Sequence, residues 1–141
     1  MAYTKTTWVN GETPINADNL NNIENGIETN DKKLSQVITG NATVNSTYIS
    51  SAENNAWERI GKVVVYHFTL TVAGTWNYTT QFLSNLPKPI SYTRFIALNT
   101  STNEPIRVGI ETDGSVHNAW SAVTPPSGQI IEGLVTYITS D

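Results

Sequence analysis

Val63-Val64-Val65-Tyr66-His67-Phe68-Thr69-Leu70-Thr71-Val72 is a ten-residue run in which two sets of side chains alternate. Val64, Tyr66, Phe68, Leu70 and Val72 fall on one face of an extended chain, and Val63, Val65, His67, Thr69 and Thr71 on the other. The first face is apolar throughout while the second turns polar halfway, which predicts a long strand resting one side on a core. Working outward from this run, further strands are expected at Ala56 to Ile60, Gln81 to Leu86, Thr93 to Asn99, Pro105 to Thr112, Ser115 to Trp120 and Gln129 to Thr139. Asp113-Gly114 is the clearest turn, since a type I′ hairpin needs positive φ at both central positions and this dipeptide tolerates it. Six or seven short strands without a second helical segment predict an antiparallel barrel or sandwich head over residues 41–141.

Upstream, the period changes. Residues 1–15 contain Trp8, Val9, Asn10-Gly11 and Pro14, read as a short extended segment with a tight turn. From 16 to about 38 the apolar positions Leu20, Ile23, Ile27, Leu34 and Val37 step by 3, 4, 7 and 3, a heptad stripe with Asn30 at the missing position. Asn16 is the expected N-cap, Asp18 suits the positive end of the helix dipole, and Ile15 is placed to staple onto Leu20. Gly40 is the expected stop, making residues 16–40 a helical oligomerisation segment of about 22 helical residues, ~33 Å long. No second helix is available in the sequence to cover the stripe. It must bury itself against copies of the chain, against another protein, or against its own β region, and copies are the economical answer.

The chain has 141 residues, a formal net charge of −4 and no cysteine. Asn, Thr and Ser supply a third of it and charged residues only 14%, a composition suited to strand surfaces and turns. The 38% hydrophobic content is enough for a core. Net acidity without a Lys/Arg cluster argues against nucleic acid or an anionic membrane as partner. Lack of cysteine excludes disulfides, thiolate zinc sites and thiol nucleophiles. The start Met1-Ala2-Tyr3-Thr4-Lys5-Thr6 is polar, so no signal peptide is expected, and no apolar run is long enough to span a bilayer.

An enzyme should show a nucleophile with its base, a phosphate loop or a set of metal ligands, and none of these patterns is present. His67 and His117 lie on separate expected strands; Glu111 and Asp113 are two acids at a hairpin tip rather than a pair flanking a glycosidic bond. We therefore expect no catalysis, no cofactor and no metal. Saccharide binding is the better candidate, because sugars are held by flat aromatic faces bracketed by amide and guanidinium donors. A two-residue Asp113-Gly114 loop would make Arg107 face Trp120, Gly109 face Asn118 and Ile110 face His117. Arg107, Asn118 and Trp120 would then share the polar face around a hollow at Gly109, with His117 on the apolar face. Trp57, Trp76 and Tyr78 are additional stacking candidates. The competing readings are a cation–π pair or subunit contact for Arg107 with Trp120, a loop aromatic closing the barrel for Trp76, a core anchor for Trp57, and a solvent or interface histidine for His67.

The opening Thr7-Trp8-Val9-Asn10-Gly11-Glu12-Thr13-Pro14-Ile15-Asn16-Ala17-Asp18-Asn19-Leu20-Asn21-Asn22-Ile23-Glu24-Asn25-Gly26-Ile27 resembles the N-terminal segment of virion appendage proteins from phages of Gram-positive bacteria, which include tail-fibre, baseplate and head-fibre proteins. Gly61-Lys62-Val63-Val64, Leu86-Pro87 and Ile106 to Val116 around Asp113-Gly114 resemble the head domains of lactococcal-type baseplate receptor-binding proteins. The resemblance implies a homotrimer with an N-terminal helical bundle, docked on another virion protein through residues 1–15 (Trp8, Val9 and Ile15 as contacts), and a β head that grips host cell-wall saccharide. It also implies a virion location after assembly in the host cytoplasm. Those heads carry a His-x-Asp pair before the glycine hairpin and a Trp after it. Here Arg107 and Gly109 stand at the pair's positions and Trp120 lies one or more residues out of step with the Trp, so the resemblance implies the fold more safely than the site, and a head that has lost saccharide binding or binds elsewhere is a further alternative. The alternatives in the same setting are a capsid head fibre or decoration protein with a purely structural role, and a glycan-cleaving appendage.

Overall fold

In the computed structural model, residues 7–9, 11–77, 79–119 and 124–140 are described. The chain divides into two compact units, Met1–Gln36 and Val37–Asp141. In the first, Gly11 takes φ +78 and the amides of Glu12 and Thr13 both donate to the carbonyl of Val9. Thr13 closes this turn, its Oγ1 accepting from the Val9 amide at 2.8 Å and donating to the carbonyl of Thr7 at 3.0 Å. Trp8, Val9 and Ile15 are exposed around it.

Helix α1 spans Ala17–Ser35. Asn16 caps it as expected, its side-chain oxygen accepting from the Asn19 amide at 2.9 Å. Asp18 lies in the first turn and Lys32 and Lys33 in the last, and Glu28 pairs with Lys32 one turn apart. Leu20, Ile27 and Leu34 are exposed and Ile23 is half-buried. The far end departs from expectation. The helix stops at Ser35, Gln36 is extended, and Val37 begins strand β1. The run Val37-Ile38-Thr39 is β-branched at every position, which penalises a helix and suits a pleated strand. Gly40 is therefore no helix stop. It lies within β1, its backbone so close to the ring of Trp57 that a Cβ would sit 2.5 Å from it.

Among its described residues the second unit is a nine-stranded antiparallel sheet: β1 Val37–Asn41, β2 Thr43–Val44, β3 Ile49–Ile60, β4 Val63–Val72, β5 Gln81–Ser84, β6 Thr93–Asn99, β7 Glu104–Ile110, β8 Val116–Asn118 and β9 Ile130–Ile138. Their spatial order is β1-β3-β4-β9-β6-β7-β8-β5-β2. The two outermost strands, β1 and β2, are consecutive in sequence and separated only by Ala42, so the sheet curls until its ends are joined by one residue. That makes a nearly closed barrel, which solves the problem of unpaired sheet edges. β1, β2 and the first half of β3 had no strand signature, because Thr43-Val44 is too short and Ser50 to Asn55 too polar to show alternation.

The alternating run Val63–Val72, β4, lies between β3 and β9. Val64, Tyr66, Phe68, Leu70 and Val72 all face the interior and are buried. They meet Ile106, Val108 and Ile110 from β7, Ile131 and Val135 from β9, and Phe82 and Leu83 from β5. A bulge in β3 at Asn54, whose φ is +51, turns Asn55 inward. Asn55 accepts from the Tyr66 hydroxyl at 2.7 Å and donates to the carbonyl of Ala42 at 2.7 Å. One side chain thus ties the central strand to the residue that joins the two sheet ends. Burial pushes the Tyr66 phenol well above its ordinary range, which keeps it a donor.

Candidate functional site

The hairpin between β7 and β8 was expected to hold the site, and its turn chemistry decides which residues reach the surface. The amide of Glu111 donates to the carbonyl of Ser115 at 2.9 Å and the amide of Gly114 to the carbonyl of Glu111 at 2.9 Å. Only Gly114 takes positive φ (+86), and Asp113 is outside the left-handed region. This is a three-residue loop, a type I turn followed by a glycine bulge, and not a two-residue type I′ turn. Asp113 favours it because its carboxylate accepts from the Ser115 amide at 2.8 Å and the Ser115 hydroxyl at 2.6 Å.

The extra residue shifts the register by one. Val108 faces Asn118, Gly109 faces His117 and Ile110 faces Val116. A one-residue slip exchanges the two faces of a strand. Asn118, expected on the polar face, is fully buried with both amide atoms unpartnered. His117, expected inside, lies on the outer face with Gly109 and Arg107. There its Nε2 meets the Ser115 hydroxyl at 2.9 Å and its Nδ1 the carbonyl of Thr79 at 3.4 Å. Since Ser115 must donate to the Asp113 carboxylate, its oxygen accepts from Nε2. The Ser115 hydroxyl and amide, with the charge of His117 behind them, hold the Asp113 carboxyl below the usual range.

Gly109 does leave space on this face, but the space is filled. A Cβ there would meet the Tyr92 hydroxyl at 2.1 Å, so the Tyr92 ring lies across the bare backbone. Arg94, opposite Gly109 in the register, holds its guanidinium 5.0 Å from the centre of that ring. Arg107 is exposed one step along the same face, opposite Ile96 on β6, and Gln81 on β5 pairs with His117. Tyr92, Arg94, Arg107, His117 and Gln81 therefore form one outward platform of aromatic, guanidinium, imidazole and amide groups across four strands. Sequence reasoning missed Tyr92 and Arg94. Their place depends on how β6 pairs with β7, and the only signal was the unfilled position at Gly109.

Of the residues expected to bind saccharide, Arg107 is on the platform and Asn118 is in the core. Trp76 is fully buried too, stacked on Phe82 at 4.2 Å with the planes 9° apart, its indole nitrogen donating to the carbonyl of Tyr48 at 3.3 Å. It has no ring face free for a ligand. Trp120 and Tyr78 lie outside the described residues. Among the described residues no three His, Asp or Glu side chains converge in a metal-binding group.

Neither a family model nor a curated protein sequence matches the chain. A solved structure does: the receptor binding protein (gp15) of Listeria phage PSA. It is similar over 94% of this chain and 83% of its own, with a TM-score of 0.53 and 12% sequence identity. At that identity the likeness concerns the fold.

Proposed function

We propose that the chain is a phage virion protein for host-surface adhesion whose β head binds cell-wall saccharide without cleaving it. The observation that carries this reading is the Tyr92 ring laid over Gly109 and braced by Arg94, beside Arg107 and His117. A flat ring edged by fixed cationic and imidazole donors suits the apolar face and the hydroxyl or anionic groups of a sugar. The likeness in fold to a phage receptor binding protein, which spans both the helix and the barrel, supports the same setting. The exposed stripe of Leu20, Ile27 and Leu34 supports assembly as a homotrimer along α1, and the exposed Trp8, Val9 and Ile15 support docking of the N-terminal segment on another virion protein. Several heads on one particle make weak single contacts sufficient through avidity.

The test is binding of fluorescently labelled full-length protein to a panel of Gram-positive cells and to their purified wall polysaccharide. Binding to at least one host, reduced tenfold or more by Tyr92→Ala with Arg107→Ala and without release of reducing ends, supports the reading. Decoration of purified capsids without cell binding supports a structural head fibre instead, and release of reducing ends supports a glycan-cleaving appendage.

A further inference from the structure

The stretch that joins the two ends of the sheet is held in two different ways along its length. From Val37 to Val44 the chain runs as β1, Ala42 and β2, pairing first with β3 and then, beyond Ala42, with β5. Among the described residues β1 pairs with no strand but β3, so its second edge is unpaired. It also buries little: Val37, Thr39 and Asn41 are exposed, Ile38 and Gly40 are half-buried, and none joins the core. Strands gain most of their stability from side chains packed on a core and on cross-strand neighbours, so β1 depends on its ladder with β3. That ladder lies beside two polar defects. Trp57 and Arg59 pair with Gly40 and Ile38, on the inner face that they share with Tyr66 and Val64 of β4. The Trp57 indole nitrogen and the Arg59 Nε are both buried without an acceptor. A buried donor left unpaired carries a desolvation cost that water returns once it can reach the group.

At Ala42 the fixings change. Ala42 is buried in the core, and its carbonyl accepts at 2.7 Å from Asn55, which is itself bonded to the Tyr66 hydroxyl of the central strand. Three residues on, the Asn45 amide donates to the carbonyl of Phe82 at 3.0 Å. We propose that β1 is a releasable strap, which peels from β3 starting at Val37 and pivots on Ala42 while the other strands stay in place. Segments with one-sided pairing and few buried apolar contacts are the ones that open locally in native proteins. Peeling undoes the register pairs from Val37–Ile60 to Asn41–Ala56 and lets water reach Trp57 and Arg59. The five residues of β1, up to ~17 Å of extended chain, then become a free tether between the helix end at Ser35 and the anchored Ala42. Gly40 is what lets the strap lie down: a Cβ there would stand 2.5 Å from the Trp57 ring, which is packed against the core.

The test is amide hydrogen exchange of the full-length chain, read by NMR at neutral pH. The β1 amides bonded to β3 are expected to exchange at least a hundredfold faster than the ladder amides of β4. Thr39 and Glu58 are directly paired and both exposed, and no native cysteine competes, so Thr39→Cys with Glu58→Cys clamps the strap by a disulfide. Oxidising the clamp is expected to slow β1 exchange at least tenfold, and adding reductant to restore it. Gly40→Ala is expected to speed β1 exchange at least tenfold and leave β4 unchanged. The proposal is overturned if wild-type β1 exchanges at the rate of β4, if the oxidised clamp leaves β1 exchange as fast as before, or if Gly40→Ala accelerates β4 as much as β1.

Discussion

Gly109→Ala separates the proposed binding platform from the stability of the barrel. The added Cβ would stand 2.1 Å from the Tyr92 hydroxyl oxygen and 2.5 Å from the ring carbon that bears it. Ordinary contacts begin near 3.5 Å, so the ring must retreat by about 1 Å or more. Tyr92 is exposed and precedes β6, which lets it swing away instead of straining the sheet. Replacing a strand glycine gains about 0.5–1 kcal/mol of backbone entropy. Losing the Arg94 contact gives back about 0.5–1 kcal/mol. The two nearly cancel, so the melting temperature should move by no more than a few degrees. Affinity for wall polysaccharide, measured by titration calorimetry, should fall at least tenfold, about 1.4 kcal/mol. Undiminished affinity would refute the platform, and a loss of more than ~10 °C in melting temperature would refute the claim that the ring can move freely.

Three further outcomes are expected. Tyr66→Phe removes the donor to Asn55 at the barrel's closing corner and should lower stability by about 1–3 kcal/mol in denaturant titrations, a loss that disappears if water replaces the hydroxyl. Asp113→Ala removes the acceptor that selects the three-residue loop and should destabilise by about 1 kcal/mol at neutral pH. Because the folded carboxyl titrates below its unfolded value, its contribution is complete above about pH 4 and fades as the pH falls through the folded pKa. The gap between wild type and variant, followed by acid titration, should therefore narrow in that window, and a gap that widens would contradict the assignment. Asn118→Leu replaces a buried amide without partners by an apolar side chain of similar size and should raise the melting temperature, whereas a fall would show that the amide is satisfied by bound water.

Period-two alternation located β4, β6 and β9 almost to the residue, because these strands lie in the middle of the sheet and turn alternate side chains toward the interior. The helix start was equally legible, since an N-cap is a local interaction between Asn16 and Asn19. The helix end was not. Val37 satisfies the heptad spacing and the strand preference at once, and pairing with Ile60 across the barrel decides between them. The site depended on a finer ambiguity. Asp113-Gly114 suits two hairpin loops that differ by one residue, and the choice rests on the bonds Asp113 makes to Ser115. That single residue sent Asn118 inward and His117 outward. Tyr92 and Arg94 reach Gly109 only through the pairing of β6 with β7, a long-range fact that composition and spacing do not encode.

Adhesion through the β6–β7–β8–β5 face is tested most directly by a crystal structure of the full chain soaked with oligosaccharide from the wall of a host it binds. Sugar is expected to stack on Tyr92 and to be hydrogen-bonded by Arg94, Arg107 or His117. Sugar bound on another surface of the barrel, with this platform bare, would contradict it.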